Sequence, residues 1–441
     1  MTAQNEKRRF IPPEVKLWGT VTGSDGSTVR VAGLTRLAGL GDIVAIETDA
    51  GQLTGEVIAM DDKNLQVLLL SAPEGLRTGQ KARLNAQANI RPSSAWLGHV
   101  VDAFGRTSDG SAVTAQDAPP MLDTSLSPDQ RRPLGPRLST GVAALDTFLP
   151  LCRGQRLGVF AGSGVGKSRL MSDLALGVST DVVVIGLIGE RTREVGEFVR
   201  LLRESGGLER AVIIAATSDQ SALVKRRAAD LTMATAEHFR DMGRQVLCLF
   251  DSVTRFAEAH REIALAAGEP PALRAFPPST TPAIAKLCER AGPGIEGSAA
   301  GDITAIFTVL VSGSDMEEPV ADMVRGILDG HVVLDRAIAE RGRFPAINLR
   351  RSVSRSAPAA WSDEEAELVS AARKLVAAYE ESAPMIQAGL YQSGADPMLD
   401  EAVRLWPALD QFTGTNMRGH SDLDSFALLQ QILSGELVEP A

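Results

Sequence analysis

The residues Ala161-Gly162-Ser163-Gly164-Val165-Gly166-Lys167-Ser168 follow an apolar run, 157–160, and precede a helix-like stretch, 169–176. A glycine-rich turn in that position lets backbone N–H groups face an anion, and the start of a helix adds partial positive charge there. In such a loop a lysine reaches the outer phosphates of a nucleotide and the following hydroxyl ligates Mg2+. Gly162, Ser163, Gly164, Val165, Gly166, Lys167 and Ser168 are therefore the candidate nucleotide-binding residues, with Ser168 also a candidate metal ligand. Ala161 departs from the strict pattern, which opens on glycine. The bland reading, a glycine turn with an incidental lysine, leaves the strand before it and the helix after it unexplained.

The surrounding sequence has the rhythm of an α/β domain. Apolar runs at 157–160, 182–188, 212–215, 246–250 and 304–311 alternate with helical patterns, which predicts a largely parallel sheet covered by helices. Asp251 ends the fourth run, where an acid can hold magnesium through water. Charge appears abruptly at the end of the second run, in Gly189-Glu190-Arg191-Thr192-Arg193-Glu194. Strand ends of this kind face the ligand crevice of an open parallel sheet. Glu190 can polarise an attacking water there and Arg191 can neutralise a transferring phosphoryl group. By spacing alone, the same charges serve equally to cap the helical stretch 195–202.

Before this domain, residues 17–84 read as short β-prone runs cut by turns at 23–27, 49–51 and 61–64. Gly19, Gly33, Gly39 and Gly41 fall where a small antiparallel barrel bends, although a sandwich has the same look. Residues 104–137, with Pro119, Pro120, Pro133 and Pro136, read as connecting chain. Beyond about residue 356 the strands stop and helical spacing takes over. The expected plan is a barrel over 1–90, a P-loop, RecA-like ATPase domain over 91–355 and a helical domain over 356–441.

Composition sets the class. With 441 residues, 44% hydrophobic and 23% charged, the chain reads as a soluble multidomain protein. A net charge of −10 argues against nucleic acid or anionic lipid as an indiscriminate partner. Cys152, Cys248 and Cys288 are too scattered for a metal site and read as free thiols in a reducing compartment. Lys7, Arg8 and Arg9 lead into Pro12 and Pro13 with no apolar stretch between, so no secretion signal is expected. No apolar run is long enough to span a bilayer, and any membrane association is expected to be peripheral, through partners.

Two more segments are ambiguous by themselves. Arg355, after Ser352-Val353-Ser354, reads as a solvated charge, and Phe344-Pro345 reads as core packing or as an aromatic face for adenine. Taken together, the segments resemble the rotary-type hexameric ATPases, most closely the flagellum-specific ATPases of the type III protein export apparatus. The resemblance covers about 97–400 and rests on the stretches that begin at Arg153, at Gly186 (G-L-I-G-E-R), at Ala216 (A-T-S-D-Q-S), at Phe250 and at Ile327. It implies that Glu190 is the catalytic carboxylate, Arg191 a γ-phosphate contact, Asp251 the magnesium-side acid, Phe344 the adenine-stacking position and Arg355 an arginine finger. It also implies a homohexamer, because a chain carrying both Glu190 and Arg355 can complete all its own sites.

Further implications of the resemblance are a coiled-coil stalk protein near Gly268-Glu269-Pro270-Pro271, a dimeric regulator at the N-terminal end, export substrates with their chaperones, and an export gate. The expected place is the cytoplasm, at the inner membrane. Ala275 stands where relatives often have glycine, and the extension before the barrel is short and broken by Pro12 and Pro13. Among rival readings, a non-flagellar type III secretion ATPase shares the motifs. A rotary ATP synthase catalytic subunit has a different phosphate loop and lacks the Tyr391-Gln392-Ser393-Gly394-Ala395-Asp396-Pro397 segment. A hexameric RNA translocase calls for stacking aromatics and basic residues near the N-terminus, where residues 17–84 hold only Trp18 and several acids. A non-catalytic ring subunit would usually lack the Glu190 carboxylate.

Overall fold

The computed structural model of the chain describes residues 16–85, 90–107, 128–311, 316–417 and 424–436. Lys7, Arg8, Arg9, Pro12 and Pro13, and the linker prolines Pro119 and Pro120, lie outside the described residues. One compact unit gathers the N-terminal strands with Glu262–Pro270; the other gathers Ile90–Arg261 with Pro271–Ala441.

Six strands make the first unit: β1 (Leu17–Asp25), β2 (Thr28–Ala32), β3 (Ile43–Thr48), β4 (Gly51–Met60), β5 (Asn64–Leu69) and β6 (Lys81–Asn85). They pair antiparallel in the order β1-β2-β5-β4-β3-β6, and β6 pairs with both β1 and β3, so the sheet closes into a barrel. This closure settles the choice between barrel and sandwich. Along β1 and β2 alternate residues point inward, and Val21, Val29 and Val31 join Val44, Ile46, Leu65 and Val67 in the barrel core. Gly19 is required by crowding, since a Cβ there would lie 2.4 Å from the Ala32 carbonyl oxygen.

The second unit is built on an eight-stranded sheet. Its strands are β7 (Val100–Val101), then, after a separate two-stranded ribbon of β8 (Arg137–Leu138) and β9 (Leu151–Cys152), β10 (Arg156–Ala161), β11 (Val182–Glu190), β12 (Ala211–Thr217), β13 (Val246–Asp251), β14 (Ile303–Leu310), β15 (Gly330–Leu334) and β16 (Ile347–Ser354). The order is β16-β15-β10-β14-β13-β11-β12-β7, parallel throughout except for the edge strand β16. Helices cover both faces of a parallel sheet, so its strands are apolar without alternation. In β11 the residues from Val182 to Gly189 are all buried. Each fully buried valine, leucine or isoleucine stabilises the fold by about 1.5–3 kcal/mol relative to exposure.

The helices follow the strands: α1 (Ala143–Thr147), α2 (Lys167–Gly177), α3 (Thr192–Glu204), α4 (Ala222–Asp241), α5 (Val253–Ala266), α6 (Thr280–Glu289), α7 (Pro319–Ile327), α8 (Arg336–Glu340) and α9 (Ala357–Ala360). Then come α10 (Asp363–Gln387), α11 (Pro397–Thr413) and α12 (Ser425–Ser434). Ser362 and Glu365 form a capping box that starts α10, and Asp396 and Asp424 cap α11 and α12. Val369, Leu375, Leu405, Phe412 and Leu429 of these last helices share one hydrophobic cluster with the sheet. The loop between α10 and α11 is pinned by Asp400, which accepts from the Tyr391 hydroxyl at 2.6 Å and from the Gly394 amide at 2.8 Å. Among the described residues no helix is long and apolar enough to cross a membrane.

Candidate active site

The phosphate-type loop leaves the C-terminal end of β10, a central strand, and runs into α2. Gly164 and Gly166 hold φ of +78° and +91°, a region that costs other residues about 1–2 kcal/mol. No side chain caps α2, so its first turn offers N–H groups to an anion. Gly162, Ser163, Gly164, Gly166, Lys167 and Ser168 line a cleft of about 960 Å³. Val165 differs from its neighbours: its side chain is buried in the core cluster, so only its backbone can serve a ligand.

Lys167 binds two carboxylates at once. Its Nζ lies 3.0 Å from Glu190 Oε1 and also donates to Asp251 Oδ1. The register of β11 and β13 makes this possible, because Leu187 lies opposite Asp251 and Glu190 stands just beyond it on the loop side. A shift in register between Ile188 and Glu190 accompanies the end of β11, where Gly189 at φ +74° packs on Arg255. Asp251 takes a second hydrogen bond, 2.6 Å, from the Thr308 hydroxyl. Burial works against the Lys167 ammonium, but the Asp251 and Glu190 charges outweigh it and hold its pKa above the usual lysine value. Burial pushes the Asp251 carboxyl up against the pull of Lys167, and the Glu190 charge pushes it the same way.

Arg191 lines the cleft, yet its side chain is exposed and paired with Glu194 at 3.3 Å. It occupies the N-cap position of α3 without a side-chain cap, and Glu194 in the first turn complements the helix dipole. Glu194 thus serves the start of α3, while Glu190 and Arg191 line the cleft. Phe344 is half-buried and outside the core cluster; a Cβ on Gly166 would come within 2.8 Å of its ring, and the Arg169 guanidinium lies 5.9 Å from the ring centre. It therefore packs on the phosphate-type loop rather than in the interior. The Asp251–Ser252 and Phe344–Pro345 peptide bonds are cis.

Arg355 is not brought to this cleft. It follows Ser354, which pairs with Gly330, and His331 lies opposite Gly158 while Leu334 lies opposite Ala161. Arg355 is thus at the N-terminal end of the parallel strands, roughly 13 Å of strand away from its own phosphate-type loop.

Several cleft residues went unread in the sequence. Arg255, Glu258, Arg261, Arg274 and Arg336 all line it, and Arg336 also donates to the Ser163 carbonyl at 3.3 Å. Arg255 pairs with Glu258 at 2.7 Å, and Arg261 lies over the Phe276 ring at 4.9 Å. The readable signal was helical spacing after Asp251, which puts Arg255, Glu258 and Arg261 successively one turn apart on the helix that leaves that strand.

The arrangement suits a polyanion bound beside the Lys167–Glu190–Asp251 cluster, and known proteins carry similar sequences. A "Flagellum-specific ATP synthase" of Caulobacter vibrioides is 47% identical over 95% of this chain and 96% of its own. This chain belongs to the flagellum-specific ATPase family. The ATP synthase alpha/beta family nucleotide-binding domain matches residues 141–354, and the T3SS EscN ATPase C-terminal domain matches 361–431. The structure of the assembled ATPase EscN from the enteropathogenic E. coli type III secretion system is 35% identical, with a TM-score of 0.85 over 94% of this chain and all of that one. EscN in complex with its central stalk EscO gives a TM-score of 0.82 at the same identity and coverage. The expected fold, of barrel, nucleotide-binding core and C-terminal helices, agrees with these relatives.

The hard oxygen donors of Ser168 and Asp251 suit Mg2+, which takes few protein ligands and leaves its other positions to water and phosphate.

Proposed function

We propose that this member of the flagellum-specific ATPase family hydrolyses MgATP to energise flagellar type III protein export, in a homohexamer whose sites are completed between copies. The observation that carries the reading is the placement of the two functional ends: Lys167, Glu190 and Asp251 converge at one end of the parallel strands, and Arg355 projects at the other. Gly162 to Ser168 and the N-terminus of α2 hold the phosphates, Phe344 faces the adenine, and Ser168 and Asp251 hold magnesium. Magnesium supplies charge neutralisation on the phosphates when bound. Lys167 exchanges its carboxylate partners for phosphate oxygens, which releases Glu190 to orient the attacking water. Arg191 on the same chain and Arg355 from the next copy offset charge on the phosphoryl group.

In this reading, residues 1–90, 91–355 and 356–441 act as barrel, motor and helical domain. The motor turns over in the cytoplasm, peripheral to the inner membrane, where hydrolysis unloads export substrates from chaperones into the export gate. A dimeric regulator holds the N-terminal end and a coiled-coil stalk meets the channel loop; the EscN complex with its central stalk supports the stalk.

The test is steady-state ATP hydrolysis against protein concentration for wild type, Glu190→Gln and Arg355→Ala, with and without magnesium. Activity per chain should rise with concentration, require magnesium, and fall at least about 10²-fold in both variants while nucleotide binding persists. Concentration-independent activity with a near-normal Arg355→Ala enzyme would refute shared sites.

A further inference from the structure

Phe344 sits in the short segment 341–346, which runs from α8 into β16. Its ring rests on the phosphate-type loop, and the course of the segment is fixed by the side chain beside it. Arg343 is 11% exposed, and its guanidinium donates to the Ile347 carbonyl at 2.8 Å and to the Thr413 hydroxyl. Its Nε lies 3.5 Å from Asp410 Oδ1. Arg343 thus brackets Phe344, Pro345 and Ala346 and fastens them to the last turn of α11. From the other side, the Asp335 amide donates to the Ala346 carbonyl at 2.8 Å, and the Asn348 side-chain amide donates to Asp335 Oδ2 at 3.1 Å.

The contact with α11 is close. A Cβ on Gly414 would lie 3.0 Å from Arg343 Cγ and 3.4 Å from the Phe344 carbonyl oxygen. The Thr413 hydroxyl donates its own proton to the Asp410 carbonyl at 2.8 Å, which leaves its lone pairs for Arg343. A buried ion pair is weak ground for stability, because apolar side chains of similar volume often join two elements as well. Among the described residues neither Arg343 Nε nor Asp410 Oδ1 has a hydrogen-bond partner, so this pair is only partly satisfied. What a planar guanidinium does better than an apolar contact is fix direction. Its three contacts set the place of residue 343, and with it the backbone that carries the Phe344 ring.

We infer that Arg343, held by Asp410 and Thr413, is a positioning residue for Phe344. The end of α11 then sets how well the base of the nucleotide is held, although Asp410 and Thr413 line no part of the cleft around the phosphate-type loop. This rests on the reading of Phe344 as the adenine face.

The experiment is isothermal titration of the full chain, with magnesium, against two ligands: a non-hydrolysable ATP analogue and inorganic tripolyphosphate, which has the phosphates without the base. Arg343→Met should weaken the analogue at least about fivefold and tripolyphosphate less than about twofold, because stacking on the base is lost and the phosphate contacts remain. Thr413→Val, which keeps its shape, should weaken the analogue alone by a smaller factor. In steady-state hydrolysis by Arg343→Met, KM for ATP should rise in step with the analogue's Kd while kcat changes less than about threefold. Phe344→Ala is the reference for loss of the stacking face. If Phe344→Ala weakens the analogue alone while Arg343→Met and Thr413→Val bind both ligands as wild type does, the positioning role is overturned and the adenine face stands. If Arg343→Met weakens both ligands equally, the residue supports the fold and not the base, which also overturns the inference. If Phe344→Ala binds the analogue normally, the adenine-face reading falls and the inference with it.

Discussion

Cutting Lys167 back to alanine would leave Glu190 and Asp251 facing each other where their side chains are 14% and 6% exposed. Removing one partner from a buried set of charges costs about 3–5 kcal/mol. The larger unit holds roughly 340 residues, and an unfolding entropy near 2.1 cal/mol/K per residue turns that cost into a loss of about 4–7 °C in Tm. The loss depends on pH. Burial already pushes the Asp251 carboxyl up, and without the ammonium it loses its opposite charge and keeps the like charge of Glu190 beside it. A carboxyl whose folded pKa lies above its unfolded value destabilises the fold once ionised, and that penalty disappears as protonation proceeds. The Tm gap between wild type and variant should therefore be widest near pH 8 and narrow toward about pH 5, because the wild-type ammonium stays charged across this range. Scanning fluorimetry on nucleotide-free protein at fixed heating rate measures it. Adding Glu190→Gln to the variant should restore at least half of the lost Tm. A gap that is flat from pH 5 to 8, or a variant as stable as wild type, would refute the buried charge set.

Thr308→Val removes the hydroxyl that holds Asp251 at 2.6 Å with little change in shape; a hydrogen bond to a charged group contributes about 1.5–3 kcal/mol, so the magnesium needed for half-maximal hydrolysis should rise roughly tenfold in a metal titration. Gly166→Ala meets both a φ of +91° and the Phe344 ring at 2.8 Å, whereas Gly164→Ala meets only its own φ of +78°. Binding of a fluorescent nucleotide should fail in the first and only weaken in the second; equal behaviour would argue against the Phe344 contact. Ala275 holds φ +68°, where alanine is strained, so Ala275→Gly should stabilise by about 0.5–1 kcal/mol and raise Tm by about 1 °C. A fall in Tm would place the strain elsewhere.

The parts of the site that were legible in the sequence are those whose chemistry is local. The phosphate-type loop is contiguous, and Glu190 and Asp251 each end an apolar strand, so periodicity alone carried them to the same edge of a sheet. Thr308 was unreadable for the opposite reason. It sits within the apolar run of β14, where threonine reads as an ordinary strand former, and only the pairing of β13 with β14 brings it to Asp251. Arg255, Arg261, Arg274 and Arg336 were passed over because an arginine near a helix is normally a solvated charge, and nothing local says which helix ends open onto the cleft. Phe344 and Arg355 depended on family resemblance: one reaches the loop from a segment 178 residues later than Gly166, and the other never reaches it within the chain.

The contacts of Lys167 connect binding to chemistry. One ammonium cannot satisfy two buried carboxylates and a phosphate at full strength, so taking hold of a nucleotide means giving up Glu190 or Asp251 or both. Two carboxylates released beside a polyanion would repel it, and the cleft answers with cations: Arg255, Arg261, Arg274 and Arg336 line it from several elements of the same chain. In the mechanism proposed above, Glu190 is free to hold water only when phosphate has taken its ammonium, which ties that carboxylate to an occupied site. What the chain cannot do is bring Arg355, the cation at the end of β16, to its own phosphate-type loop, because that residue lies at the opposite end of the strands. In the ring proposed above a second copy provides the cation, and substrate binding and assembly then both become conditions for hydrolysis.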